Sequence, residues 1–341
     1  MKPAGLALAA MSAFLAVPAT AQTIVINSFG GAYEEAHKKC VIEPFKEETG
    51  ADVQIVTAYS ADAFAQLRAQ AAAPEFDVIH FSGGQEIVAA KEGLLSPIPE
   101  GTLSNAPNIY GFAIENTWTG QGPAYQIAVI GLLHNVEAEP SKPTSWEALT
   151  DPAFADHTVL TDISNGYGML GFLMLNKVKG GDLTNIQPGL DAVAEMLKNG
   201  AIVVSKSPEI QQEFAQNDAW LAAYASDYAY TLRKAGLPIA FTQGKEGTPA
   251  SFITANLVAG RDNTELAIQF IDLELSAPAQ TGFAEALRYS PTNSTVELPE
   301  EIAQDVPYGP EAVEGLIRFD PTVIEENRAD WVDRWNRTIA K

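Results

Sequence analysis

The chain has 341 residues, of which 46% are hydrophobic and 19% are charged, and its formal net charge at pH 7 is -22. This composition is typical of a folded globular protein, and the excess negative charge argues against nucleic acid and anionic lipid surfaces as partners. Its one cysteine, Cys40, rules out an internal disulfide, so stability has to come from a large buried core.

The first predicted element is a secretion signal at residues 1–21. Lys2 precedes an uncharged, largely apolar run over residues 6–17, and residues 19–21 form an Ala-Thr-Ala cleavage site. The run is shorter than the roughly 20 apolar residues that span a bilayer. We therefore expect cleavage near Gln22 and not membrane insertion. Since no cysteine follows the cut, the predicted mature protein is a free periplasmic protein and not a lipoprotein.

Beyond this segment, apolar runs with the pattern of buried strands alternate with amphipathic helical patterns. Strands are predicted at residues 23–27, 53–57, 77–81, 126–134, 201–204, 219–225 and 248–259. Helices are predicted at residues 33–49, 62–72, 85–92, 146–149, 190–199, 209–216, 227–235, 264–275 and 323–339. This alternation predicts an α/β fold with parallel sheets flanked by helices. The roughly 320 residues after the signal suit two lobes better than one core.

Catalytic and metal-binding patterns are absent from the sequence. It contains no G-x-S-x-G motif, no P-loop and no G-x-G-x-x-G after a predicted strand. The four histidines, His37, His80, His134 and His157, include no pair at the spacing of a local metal site. We therefore expect no catalytic residue, metal or cofactor, and a secreted hydrolase is the less favoured alternative.

Glycine and hydroxyl residues form three turns, at residues 28–33, 82–84 and 164–168, and the first two directly follow predicted strands. In an open parallel sheet, ligands bind beyond the carboxyl ends of the strands, and glycine lets the backbone approach them closely. Ordinary turns between strands and helices also use glycine. Three such turns with hydroxyl or aromatic neighbours favour a binding cleft.

Seven motifs carry a family resemblance. In chain order they are PFKEETG at 44–50, FDVI at 76–79, KEGLL at 91–95, KPTSWEAL at 142–149, LTD at 160–162, RKAGLPI at 233–239 and YSPTN at 289–293. With these motifs the chain resembles the type II periplasmic solute-binding proteins of ABC importers, specifically the family-1 group of spermidine/putrescine-binding proteins. The resemblance covers nearly the whole mature chain. It implies a monomer that captures a small-molecule solute and docks on an inner-membrane ABC permease.

The resemblance also implies two α/β lobes, each a mainly parallel sheet flanked by helices, as in the type II periplasmic binding protein fold. Lobe 1 is expected to comprise residues 22–128 and 250–298, and lobe 2 residues 129–249 and 299–341. Strands near residues 126–130 and 252–256 are expected to cross between the lobes. The two tail indoles, Trp331 and Trp335, are expected to pack on lobe 2.

Family ligand positions transfer to this chain in part. The aromatic residue after strand one matches Phe29, with Tyr33 near a second aromatic position. The hydroxyl after strand three matches Ser82, and the aromatic residue of the proline turn matches Tyr289. Where polyamine binders place carboxylates, this chain has Ile163, Gly166 and Thr254. Burying several ammonium groups against such residues costs several kcal/mol each, so a ligand of lower positive charge is expected.

Charged residues near the expected cleft leave two ligand types open. Asp227 suits a small organic amine, whereas Asp227 together with Lys206 or Arg288 suits a zwitterionic, amino acid-like or carboxylate solute. Ferric ion is less favoured, because Tyr224, Tyr228 and Tyr230 are not adjacent. The predicted ligand-binding residues are Phe29, Gly30, Gly31, Tyr33, Ser82, Gly83, Asp162, Ser164, Asn165, Lys206, Asp227, Tyr228, Thr254, Arg288 and Tyr289.

Overall fold

The computed structural model describes residues 22–139 and 142–340. The predicted secretion signal at residues 1–21 lies outside these ranges. Among the residues described, no helix has both the length and the apolar character needed to cross a bilayer.

The first part of the described chain alternates strands and helices as predicted. Its elements are β1 (Thr23–Ser28), α1 (Gly31–His37), α2 (Glu43–Thr49), β2 (Asp52–Thr57), α3 (Ser60–Ala69), β3 (Val78–Ser82), α4 (Gln85–Lys91), α5 (Gly111–Ile114) and β4 (Ala124–Asn135). The single helix predicted at residues 33–49 is divided, because a π-helical turn at Lys38–Ile42 separates α1 from α2. Gly50 ends α2 in the left-handed conformation that helix C-termini favour.

The middle part adds strands and helices on the other side of β4. These are β5 (Thr158–Thr161), α6 (Gly166–Val178), α7 (Gln187–Lys198), β6 (Ile202–Val204), α8 (Ser207–Ala215), β7 (Leu221–Ala225), α9 (Ser226–Lys234) and β8 (Ile239–Thr242). Helix α6 was not predicted. Nine of its thirteen residues are buried, so it lacks the polar face that makes a helical period visible in a sequence.

The last part completes the sheet and ends in a long helix. Its elements are β9 (Ala250–Leu257), α10 (Thr264–Glu274), α11 (Ala277–Leu287), β10 (Ser290–Pro291), α12 (Glu300–Ala303), α13 (Pro310–Glu314) and α14 (Pro321–Ile339). Asp320 caps α14 by accepting hydrogen bonds from the backbone N–H groups of Thr322 and Val323, which satisfies two donors that the helix leaves free.

The strands form a sheet in the order β2-β1-β3-β9-β4-β7-β5-β6, with β8 and β10 also paired to β4. Strand β1 runs parallel to β2 and β3, and β5 runs parallel to β6 and β7. Both β9 and β4 are antiparallel to their neighbours. Parallel strands flanked by helices confirm the predicted α/β class, and the antiparallel centre is where the chain passes between the two groups of parallel strands.

Strand β4 belongs to both groups. Its first residues pair with β9 and β10, and its last residues pair with β7 and β8. One large apolar core contains Ile24 and Phe270 on the β1 side, and another contains Trp146 and Leu173 on the β7 side. Two cores on either side of a shared strand place the carboxyl ends of both sets of parallel strands opposite each other.

The tail helix α14 packs on the second of these cores. Trp331 and Trp335 are 3% and 1% exposed and belong to the β7-side core. The Trp335 ring meets the Phe172 ring edge-on, with the ring centroids 5.6 Å apart. The indoles therefore contribute to core packing, as was expected of them.

Candidate ligand-binding site

A cavity of about 470 Å³ lies beyond the carboxyl ends of the parallel strands, between the two groups. From the β1 side it is lined by Phe29, Gly30, Gly31, Ala32, Tyr33, Tyr59, Ser60, Ala61, Ser82, Gln85, Leu287 and Tyr289. From the β7 side it is lined by Ser164, Asn165, Gly166, Tyr167, Ser207, Pro208, Gln211, Tyr224, Asp227, Tyr228 and Thr231. Its position is the one at which open α/β sheets bind ligands.

Two glycines bring the backbone to the edge of this cavity. Gly30 precedes α1 and Gly31 is its first residue, and their φ angles are 75° and 53°, a region that residues with a Cβ atom disfavour. A Cβ atom on Gly30 would lie 2.9 Å from Cγ2 of Thr57. The turn therefore requires glycine at this position, and it leaves the main chain open to the cavity.

Seven aromatic side chains surround the cavity. They are Phe29, Tyr33, Tyr59, Tyr167, Tyr224, Tyr228 and Tyr289. The ring centroids of Phe29 and Tyr33 are 4.8 Å apart, and Tyr224 meets Tyr228 edge-on at 5.2 Å. Because each ring presents a negative face, such walls attract organic cations, by about 0.5–2 kcal/mol for one well-placed ring.

Asp227, in the first turn of α9, is the acidic group of the site. Among the described residues that line the cavity it carries the only carboxylate, and no lysine, arginine or histidine lines the cavity with it. Its Oδ2 accepts a hydrogen bond from the Tyr289 hydroxyl at 3.2 Å, whereas its buried Oδ1 has no partner in the described chain. Burial raises the pKa of Asp227 to about 6. The carboxylate thus has one oxygen left for a ligand that donates a hydrogen bond.

Neutral polar groups complete the lining. Asn165 caps α6 by accepting from the N–H of Tyr167 at 2.9 Å, and its Nδ2 donates to the Tyr224 hydroxyl at 3.4 Å. The N–H of Ser82 donates to Oγ of Ser60 at 2.9 Å. These bonds hold the polar side chains in place, so that the cavity presents fixed hydrogen-bonding groups.

Ten of the fifteen predicted residues line this cavity. They are Phe29, Gly30, Gly31, Tyr33, Ser82, Ser164, Asn165, Asp227, Tyr228 and Tyr289. Two others, Gly83 and Thr254, instead line a second cavity of about 300 Å³. Strand β9 explains the position of Thr254, which pairs with Phe81 and Ala124 in the centre of the sheet and not at a strand end.

The other three predicted residues, all of them charged, do not line this cavity. Asp162 accepts bonds from the N–H of Ser164 at 2.8 Å and from Nε1 of Trp335 at 2.9 Å, so it stabilises the turn and the tail helix. Lys206 is exposed just before α8. The backbone of Arg288 is left-handed, with φ 64°, and its Nε donates to Asp305 at 2.9 Å.

Eight lining residues with polar or aromatic side chains are not among the fifteen predicted ligand-binding residues. They are Tyr59, Ser60, Gln85, Tyr167, Ser207, Gln211, Tyr224 and Thr231. Tyr59 and Ser60 follow the end of β2, and Tyr224 lies near the end of β7. Applying the strand-end rule to the predicted strand at residues 53–57 would have selected Tyr59 and Ser60, whereas Tyr224 lies inside the predicted strand at residues 219–225. Gln211 and Thr231 lie inside helices, where the sequence offers no such signal.

The second cavity contains a buried acid. Glu86 lies in the first turn of α4, its Oε2 has no partner in the described chain, and burial raises its pKa to about 7. Arg328 of α14 lies at the same cavity, and its Nη2 donates to the carbonyl oxygen of Gly83 at 3.3 Å. This cavity lies where the tail helix meets α4.

Comparisons with known proteins place the architecture in a family. Residues 41–309 match the family model described as bacterial extracellular solute-binding protein. A gamma-aminobutyric acid-binding protein of Pseudomonas aeruginosa is 23% identical, and the match covers 99% of this chain and 95% of that protein.

Solved structures share the fold. A crystal structure of an ABC transporter protein from Clostridium perfringens superposes with a TM-score of 0.78 at 24% identity, covering 93% of this chain and 99% of that one. The spermidine/putrescine ABC transporter substrate-binding protein PotD of Streptococcus pneumoniae superposes with a TM-score of 0.75 at 19% identity, covering 93% and 98%. At these identities the similarity shows a common fold and leaves the ligand open.

Proposed function

The chain belongs to the family of bacterial extracellular solute-binding proteins, and from this premise we propose that it captures a small organic amine with one positive charge for an ABC importer. Family membership confirms the resemblance found in the sequence and makes the chain a binding protein and not an enzyme. The proposed location is the periplasm, and the proposed partner is an inner-membrane permease. The lobe limits at residues 22–128 with 250–298, and 129–249 with 299–341, remain part of this proposal.

The single observation that carries the ligand class is Asp227. It is the only carboxylate among the described lining residues, one of its oxygens is unpartnered, and aromatic rings surround it. One carboxylate balances one ammonium group. A polyamine such as spermidine brings three, and each additional buried ammonium without a partner costs several kcal/mol. The site therefore favours a monoamine over a polyamine.

A zwitterionic ω-amino acid is the second candidate. It is favoured by the similarity to a protein named for binding gamma-aminobutyric acid. Its ammonium group would meet Asp227. Because no basic side chain lines the described cavity, its carboxylate would depend on neutral donors such as Asn165, Gln85 and the backbone N–H groups near Gly31.

Calorimetry with a matched set of solutes tests both candidates. The protein is first unfolded and refolded to remove bound solute, and the released compounds are identified by mass spectrometry. We then expect binding of 4-aminobutyrate or butylamine, weak binding of spermidine, and none of glutarate, which lacks an ammonium group. Butylamine binding as tightly as 4-aminobutyrate selects the simple amine. Tight binding of spermidine or glutarate contradicts the one-ammonium site, and turnover of any bound solute contradicts a binding protein.

A further inference from the structure

Three buried side chains converge behind the wall of the ligand cavity. Nε2 of His37 and Nε2 of His80 lie 3.0 Å and 2.9 Å from the same oxygen, Oε1 of Glu274. All three residues are 0% exposed, and their donor atoms lie within 4.8 Å of one another. The other oxygen, Oε2 of Glu274, has no partner in the described chain. The cluster is separate from the cavity, since none of the three residues lines it.

A hydrogen bond on the far side of the His80 ring fixes where its proton lies. Nδ1 of His80 is 2.8 Å from the carbonyl oxygen of Asn27, which can only accept, so Nδ1 carries a proton. In the neutral ring, Nε2 then has a free lone pair that faces a carboxylate oxygen. Two acceptors at 2.9 Å repel each other unless a proton or a cation lies between them.

Nδ1 of His37 is 3.5 Å from the hydroxyl oxygen of Ser28, so both rings have an outer partner and direct Nε2 inward. Histidine metal ligands have this arrangement, in which the outer nitrogen is held by a carbonyl or another oxygen and the inner nitrogen binds the metal. The form required is neutral histidine with ionised carboxylate.

The charge balance of the buried cluster also favours a bound cation. A buried carboxylate between two neutral imidazoles leaves one uncompensated negative charge, which is costly in a core. A divalent cation compensates that charge and gives each inward lone pair a partner.

We propose that His37, His80 and Glu274 form a binding site for a divalent transition-metal ion of the zinc class. Two imidazole nitrogens and a carboxylate are a ligand set typical of Zn²⁺, and Oε2 of Glu274 is free to act as a further donor. The site ties α1, β3 and α10 together. The His37 ring meets the Tyr33 ring edge-on at 5.8 Å, so the metal supports one aromatic wall of the ligand cavity. The proposal does not depend on which solute that cavity binds.

The test uses the full chain, unfolded in denaturant with EDTA and refolded with or without Zn²⁺, because the site is closed in the folded protein. Elemental analysis after removal of free metal should find one zinc per chain. X-ray absorption should show two histidine nitrogens at about 2.0–2.1 Å from the metal. The zinc-loaded protein should melt roughly 5–10 °C later than the metal-free protein.

Variants locate the bound metal. H80Q and E274Q should each retain less than a tenth of an equivalent of zinc, whereas H157Q, which removes a histidine stacked on Trp220, should retain one. If a cluster variant does not fold, the wild-type stoichiometry and absorption spectrum still decide. Wild-type protein that binds no zinc and melts at the same temperature with and without it overturns the proposal, because the cluster then holds a shared proton. Zinc retained by both cluster variants overturns it too.

Discussion

Replacing Asp227 with asparagine removes the charge of the ligand cavity and keeps the shape of the side chain. A hydrogen bond to a charged group contributes about 1.5–3 kcal/mol. Since 1.4 kcal/mol corresponds to a tenfold change in affinity, Asp227→Asn should raise the Kd for the amine about 10- to 150-fold. Titration calorimetry at pH 7.5, with the solute identified in the panel above, measures this directly.

The pH dependence of binding gives an independent measure of the same carboxylate. Burial raises the pKa of Asp227 to about 6 in the ligand-free protein, and an ammonium ligand favours the ionised form. Affinity should therefore rise with pH up to about 6 and level off above it. Below pH 6 it should fall by up to about tenfold for each pH unit. The Asp227→Asn variant should lose this dependence.

A matched control separates the effect of the Asp227 charge inside the cavity from the effect of the overall negative charge of the protein. Asp191 lies on the exposed surface of α7, and Asp191→Asn changes the net charge by the same amount. We expect its Kd to equal that of the wild type. An equal loss of affinity in both variants would assign the effect to the long-range field. Unchanged affinity in Asp227→Asn would refute the one-ammonium site.

Three other predictions follow from particular contacts. Tyr289→Phe removes the hydroxyl that donates to Asp227, so the pKa of Asp227 should rise further and the midpoint of the affinity–pH curve should move upward. Burial raises the pKa of Glu86 to about 7, so the folded protein binds the proton of this carboxyl group more tightly than the unfolded chain does. The protein should therefore lose stability as the pH rises from about 5 to 7. Glu86→Gln should reduce that loss in thermal melts at pH 5 and 8, and an unchanged loss would be evidence against it. Trp335→Ala empties a site that is 1% exposed and should cost about 3–5 kcal/mol in denaturant unfolding, while the Kd for the solute stays the same. A large change in that Kd would contradict a purely structural role of the tail.

The sequence by itself determined the alternation of strands and helices. Its predicted strand at residues 23–27 and helix at 264–275 agree with β1 and α10 to within a residue at each end. Such elements are visible because each buries one face and exposes another, which leaves a period in the sequence. Helix α6 leaves none, since it is buried on nearly every side.

Part of the candidate site was also predictable from local sequence. Phe29 and Ser82 lie at or next to the ends of parallel strands, and the chain order of strands and turns is enough to select them. Arg288 and Tyr289 are neighbours in sequence, yet only Tyr289 lines the cavity. Arg288 has a left-handed backbone, and its side chain donates to Asp305 instead, which the local sequence does not indicate.

Only the tertiary structure decided which distant residues meet. Asp227 accepts a hydrogen bond from the hydroxyl of Tyr289, which is 62 residues away in the sequence. His80 contacts Glu274, which is 194 residues away. A strand or helix is specified by its own residues because the burial of one face repeats along it. A site between elements depends on how several such faces pack against one another, and that packing is set by the whole core.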